Sequence, residues 1–312
     1  MIQTGCEGTW WRHARVSLIT IQRFLMLRTI PKLSLCFLFV LSFSVPVQAD
    51  TAMELLGVNQ PDRFYKLAAH AEVGFLAPLE HQIQYSKTGS VVDYVEDGGQ
   101  DVLFAVNRFS LDWLVGKNTF VLLYQPLDLQ TEVIARHNYV IDNENFPEGE
   151  PMKFRFSFPF FRGSYMYNLS NDPSLDVEVG GSIQLRNARI EFASADGELF
   201  RASRDIGPVP LMKLRVRKTQ ENGFWYGMEM DGSYAAVDYL NGDDDSDVVG
   251  ALLDFSLRSG VTLKHGIRPF VNLRYLGGGA EGTTGDYEGY GGDGWVKNWL
   301  HFMTVSVGVS VF

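Results

Sequence analysis

The chain has 312 residues, 46% of them hydrophobic, with 27 Lys and Arg against 37 Asp and Glu, a net charge of −10 and a mean hydropathy near zero. That acidity counts against nucleic acid as a partner, because phosphate binding needs a basic surface. Both cysteines, Cys6 and Cys36, sit in the N-terminal part, so the rest of the chain holds neither a disulfide nor a thiolate site.

Residues 1–25, with Trp10, Trp11 and Arg12, fit no part of an export signal and read as an upstream extension before a true start at Met26; a long n-region is the alternative. Residues 26–49 have the parts of a secretory signal. Arg28 and Lys32 form the basic region, Leu33 to Val45 the apolar one, and Val47-Gln48-Ala49 the cleavage site. The apolar run is shorter than the roughly 20 residues a spanning helix needs. Ser34-Leu35-Cys36 is not a lipidation site, since Leu35 stands where a small residue is required. Cleavage after Ala49 leaves 263 residues carrying 22 Lys and Arg, 36 Asp and Glu and a net charge of about −14.

Residues 50–66 read as a periplasmic segment, and 67–312 as one domain of alternating strands. Strands are expected near Ala68 to Leu79, Asp101 to Val115, Thr119 to Ile134, Met152 to Tyr167 and Leu175 to Phe192. Others follow at Pro208 to Arg217, Phe224 to Ala235, Val248 to Leu257 and Val261 to Leu276, and the last ends at Phe312. Short turns (Gly116-Lys117-Asn118, Ser170 to Pro173, Gln220 to Gly223, Arg258-Ser259-Gly260) alternate with longer loops. No later segment is apolar enough for a helical span, and in lipid only a helix or a closed barrel satisfies the backbone. The fold expected is all-β: a transmembrane antiparallel up-and-down barrel of about ten strands, with short periplasmic turns and long extracellular loops.

Alternation within strands assigns faces, on the rule that apolar side chains meet lipid. In the fourth strand Met152, Phe154, Phe156, Phe158 and Phe160 would face outward, with Lys153 and Arg155 inward or near the rim. In the seventh, Glu229 and Asp231 point inward, opposite Tyr226, Met228 and Met230. In the ninth, Lys264, Arg268, Asn272 and Arg274 point inward. Asp128, Gln130, Glu132, Glu178, Gln184 and Arg186 are read as further inward groups. Lys213, Arg215 and Asp254 complete an expected lumen network with Lys153, Arg155, Arg186, Glu229, Asp231, Lys264 and Arg268. In the last strand Val305, Val307, Val309 and Val311 face lipid, and Phe312 falls on the opposite parity, which implies either a bend or bulge at the very end or an imperfect terminal signature.

No catalytic residues emerge. No histidine has the His-x-Ser spacing that would place both groups on one strand face, and Glu229, Asp231 and His137 are the nearest set to paired acids facing a histidine. His265 and His301 share the parity of lipid-facing positions. Asp243, Asp245 and Asp247 offer hard oxygen ligands but lack the spacing of a calcium loop, so a solvated tip is the simpler reading. Tyr287 and Tyr290 lie on a glycine-rich loop, and Trp295 and Trp299 suit an interfacial belt.

Three segments, FVLLYQPLDL from Phe120, KFRFSFPFFRGSYMYN from Lys153 and DVEVGGSIQLRNARIEF from Asp176, resemble a family of uncharacterised Gram-negative outer-membrane β-barrel proteins. That group shares a strand ending Tyr-x-Pro-Leu, an aromatic return strand and a third strand whose core here is Gly180, Arg186, Asn187 and Ala188. The resemblance implies the barrel and an outer-membrane location, and it carries no activity. The role expected is therefore a plugged, ion-paired barrel with a structural or surface-interaction function. A narrow channel for small polar solutes is the second reading and a surface hydrolase of lipid A or peptide the third. Outer-membrane lipids and the barrel assembly machinery are the expected partners, with no cofactor.

Overall fold

The computed structural model describes residues 64–142, 144–236, 248–283 and 293–312. The signal segment, the aspartates 243, 245 and 247, and the tyrosines of the glycine-rich loop lie outside these residues.

The strands are β1 (Tyr65–Tyr85), β2 (Val91–Asp93), β3 (Phe104–Val115), β4 (Asn118–Gln125), β5 (Asp128–Ile134), β6 (Tyr139–Ile141), β7 (Glu144–Phe146) and β8 (Pro151–Ser157). They continue with β9 (Phe160–Asn168), β10 (Leu175–Ser194), β11 (Phe200–Thr219), β12 (Phe224–Ala236), β13 (Val249–Val261), β14 (Ile267–Thr283) and β15 (Trp295–Val311). Ten of them close a ring in the order β1, β3, β4, β9, β10, β11, β12, β13, β14, β15 and back to β1. Every pairing is antiparallel, so the chain is an up-and-down barrel whose ladder has no edge in its lower half. β5 and β8 prolong the β4–β9 hairpin, and β8 pairs on along β10. β2 adds to β1, and β6 pairs β7 in the third connection.

The short connections gather at one end and the long ones at the other, apart from the β10–β11 reversal, which is short although it lies at the long-connection end. Asp172 shapes one short turn by accepting the Ser174 hydroxyl and N–H, and these bonds hold its carboxyl down at about 2. The connection between β13 and β14 differs from the expected turn at Gly260. β13 runs through to Val261, and the chain reverses at Lys264–Gly266, with His265 in the left-handed region at φ 60°. Gly260 is a ladder residue opposite Phe270, where a Cβ would come within 2.3 Å of the Pro269 carbonyl oxygen. Lys264 and His265 are therefore exposed turn residues, neither in the lumen nor toward lipid. β11 likewise begins at Phe200, well before the expected Pro208, so β10 and β11 form 20-residue partners joined by a tight reversal.

Toward the short-turn end the barrel is apolar outside. Val73, Phe75, Leu122, Ile183, Leu185, Val271, Val305 and Val307 are all exposed side chains on the outer face. Each would forfeit about 1.5–3 kcal/mol in water that lipid contact recovers, which makes this face a membrane belt. Trp113, Phe120 and Tyr165 stack along it near the β3–β4 turn, where an aromatic girdle sits at the membrane surface.

Above the belt the faces exchange chemistry while parity stays the same. Along β8 and β9 the even-numbered side chains point inward throughout: Met152, Phe154, Phe156 and Phe160, then Arg162 and Ser164. The assignment of Met152 and the phenylalanines to lipid is therefore reversed. Lys153 and Arg155 face outward, as do Asp128, Gln130 and Glu132 on β5, and Arg155 pairs with Asp128 at 2.8 Å and Glu191 at 3.1 Å. The reason is the solvent: this stretch projects beyond the hydrocarbon, so charges face water and rings fill the interior. On β1 a bulge at Pro78–Glu80 marks the same level, with Val73 and Phe75 outward below it and Glu80, Gln82 and Gln84 outward above.

Candidate functional site

The bore has three tiers. In the upper one Phe154, Phe156, Phe160, Phe192 and Phe302 are wholly buried, and Tyr94, Tyr139 and Ile141 from the long connections close over them. His81 is enclosed by Tyr94, Phe156 and Phe302, with ring centroids 4.4–5.9 Å apart. This is an ordinary protein core built inside a barrel.

The middle tier is ionic. Lys213 on β11 donates to Glu229 at 2.5 Å and to Asp231 at 2.8 Å, both on neighbouring β12. Arg162, fully buried on β9, reaches across the bore to Asp231 at 2.8 Å and Asp254 at 2.9 Å, and also donates to Gln184. Arg274 on β14 holds Asp254 at 2.5 Å and spans to Gln125 on β4 at 2.7 Å. Arg215 bridges Glu178 and Asp112, each at 2.6 Å, while Arg258 joins Glu72 at 2.9 Å to Glu229 at 3.2 Å. Arg108 lies 3.9 Å from Glu229. Six carboxylates (Glu72, Asp112, Glu178, Glu229, Asp231, Asp254) thus meet six cations (Arg108, Arg162, Lys213, Arg215, Arg258, Arg274), so this tier is neutral. Neutral hydroxyls complete it: Ser182 donates to Asp231, Thr119 to Glu178 and Ser306 to Glu72. Charges out of water are tolerated only when paired and hydrogen-bonded in this way.

The lower tier is the short-turn mouth. Phe312 lies inward without any bulge in β15, and the guanidinium of Arg268 stands 4.2 Å from its ring centroid, with Arg217 at 5.5 Å. Trp225 and Phe270 pack beside it, 5.8 Å apart. His70, on β1, accepts or donates at 2.7 Å with Ser310 and lies 3.5 Å from Asp112.

Of the expected network, Lys213, Arg215, Glu229, Asp231 and Asp254 come together in the middle tier. Arg186 is half-buried one level higher, opposite Phe160, and Arg268 lines the lower mouth. Lys153, Arg155 and Lys264 lie outside the lumen altogether. Glu229 and Asp231 are locked into the network, whereas His137 is exposed in a long connection against Tyr139, so these three form no site. His301 is bonded to the Tyr275 hydroxyl on the outer face. The residues missed from sequence are Arg162, Glu72, Arg108, Asp112 and Arg258, the last read as a turn residue. Arg162 had a visible signal, a lone cation alternating with Phe161, Tyr165 and Tyr167; the others depend on strand register. No cluster of three metal-ligating side chains occurs among the described residues.

No family model matches the chain, and no curated protein does. Among solved structures it is similar to the outer membrane protease OmpT from Escherichia coli, at 13% identity over 81% of this chain and 98% of that one, with a TM-score of 0.45. It is also similar to the transport unit of the autotransporter AIDA-I from Escherichia coli (8% identity, 84% and 96% covered, TM-score 0.36) and to a Pseudomonas aeruginosa FadL homologue (8%, 78% and 90%, TM-score 0.33). These are outer-membrane barrels; at such scores they carry no inference about activity, and the fold rests on the closed ladder itself.

Proposed function

We propose that this chain is an outer-membrane barrel with a sealed lumen, whose role is structural or in surface interaction through its long connections. The observation that carries this reading is Arg162: a guanidinium with no exposed surface, at mid-height in the bore, bonded to strands on the far side. No water can lie against that guanidinium, which supports closure of the bore where Arg162 crosses it. The outer-membrane assignment is supported by the belt, by the closed all-antiparallel ring and by the export-signal pattern in the sequence.

Planar-bilayer recording of the refolded protein tests it. Wild-type protein is expected to show no conductance steps, and Arg162→Ala to show intermittent ones as Asp231 and Asp254 lose a partner and take up water. Steady ohmic steps from the wild type would replace this reading with a narrow channel for small polar solutes.

A further inference from the structure

We propose that Ser310, His70 and Asp112 form a nucleophilic triad at the short-turn mouth, able to hydrolyse short-chain carboxylic esters. The inference goes beyond the sealed-barrel reading: Ser310 and His70 line the mouth, and Asp112 reaches them from the lowest level of the ionic tier.

The geometry comes from the closing pair of strands. Ser310 on β15 stands in register with His70 on β1, and on its other side with Arg268 on β14. Ser310 Oγ is 2.7 Å from His70 Nδ1, within the reach a general base needs. The other imidazole nitrogen, Nε2, lies 3.5 Å from an Asp112 oxygen, while the second Asp112 oxygen accepts from Arg215 at 2.6 Å. A nucleophile and a base are in hydrogen-bond contact, and a carboxylate that is itself held in place lies within electrostatic reach of the base's buried, unbonded Nε2; such triads are recognised by geometry whatever the chain order. The working tautomer carries its proton on Nε2, toward Asp112.

Two observations separate this set from a serine merely satisfied by a neighbouring histidine. First, a cavity of about 40 Å³ opens beside Ser310 and His70, walled by Trp225, Phe270 and Phe312. It admits a few heavy atoms, which suits an ester carbonyl with a short acyl group and leaves the alcohol portion in the mouth. Second, Arg268 also lines that cavity, and its Nε is buried with no hydrogen-bond partner. A cation held there by stacking on Phe312 can stabilise an oxyanion formed at Ser310.

The step balances without a further reagent. Ser310 Oγ bonds to the ester carbon as its proton passes to His70 Nδ1, and the carbonyl electron pair moves onto the oxygen near Arg268. Collapse expels the alcohol, which takes the proton from His70. Water then attacks the acyl-serine with His70 again as base, releasing the carboxylic acid and restoring Ser310.

The test is a fluorophosphonate probe applied to the folded protein in detergent, with the labelled residue located by mass spectrometry. Labelling at Ser310 is expected, absent in Ser310→Ala and slowed about 100-fold in His70→Ala, the scale of general-base assistance. Heat-modifiable gel mobility reports that the variants are folded. If His70→Ala loses that mobility, His70→Gln, which keeps a polar contact to Ser310 but cannot take its proton, is read instead. No label on wild-type Ser310, or a folded His70 variant labelled at the wild-type rate, overturns the proposal.

Discussion

The upper and middle tiers of the bore are built on the same strands and obey opposite rules. Around Phe154, Phe156 and Phe192 the interior is dry and aromatic, and the outer face carries Lys153, Arg155 and Asp128. One or two turns of pleat lower, the interior holds Arg162, Asp231 and Asp254, and the outer face is valine, leucine and phenylalanine. The side-chain parity of β8 and β9 does not change between them, so what changes is the medium outside. Where the outside is water, apolar groups are driven in. Where it is lipid, nothing drives them in, and the polar groups that cannot face hydrocarbon take the interior instead.

The largest expected effect tests the ionic tier. Arg162→Ala removes one partner from two buried carboxylates and leaves Lys213 and Arg274 to hold them. Breaking such a network costs about 3–5 kcal/mol. The midpoint of urea unfolding in lipid vesicles, followed by heat-modifiable mobility, is expected to fall accordingly. A loss below about 1 kcal/mol would show that water enters the tier and satisfies the acids.

Next in size is a paired test of the aromatic tier. Phe156→Ala is expected to cost about 3–4 kcal/mol, within the range for emptying a packed core. Phe161→Ala, on the lipid face of the same hairpin, is expected to cost about 1 kcal/mol or less, because acyl chains refill the space. Equal losses in the same unfolding assay would erase the distinction between the two faces.

How much of this was legible beforehand follows from the same contrast. Alternation and turn residues expose the ten strands and closed architecture, since a period of two and a Gly-Lys-Asn or Asn-Asp-Pro turn are local properties. The faces of β12, β14 and β15 are readable too, because those strands cross the belt for most of their charged length. β8 is not, because the rule that apolar means lipid holds only at belt height, and height is not written in a strand's own alternation. Gly260 looks like a turn residue until Phe270 is seen lying against it. The pairing of Ser310 with His70 depends on the register in which the last strand closes on the first, and no spacing along one strand reports it.

A third prediction locates the belt edge. Val307→Arg places a cation on the exposed lipid face, at a cost of about 2–4 kcal/mol if the position lies at the bilayer midplane. Gln130→Arg, outward on β5 above the proposed edge, is expected to stay within about 0.5 kcal/mol. A gradient between them, read from intermediate outward positions on β9 and β10, would place the boundary by energy alone.

The smallest effect concerns the outward ion pairs of the upper barrel. Arg155 bridges Asp128 and Glu191 with its side chain one-third exposed. Screened by water and salt, such a pair contributes about 0–1 kcal/mol. Arg155→Ala is therefore expected to shift the unfolding midpoint by little, and by less still as salt is raised. A loss approaching that of Arg162→Ala would mean that Arg155 is shielded from water, by lipid headgroups or by a bound partner, and would raise the belt edge above the level where the exchange of faces sets it.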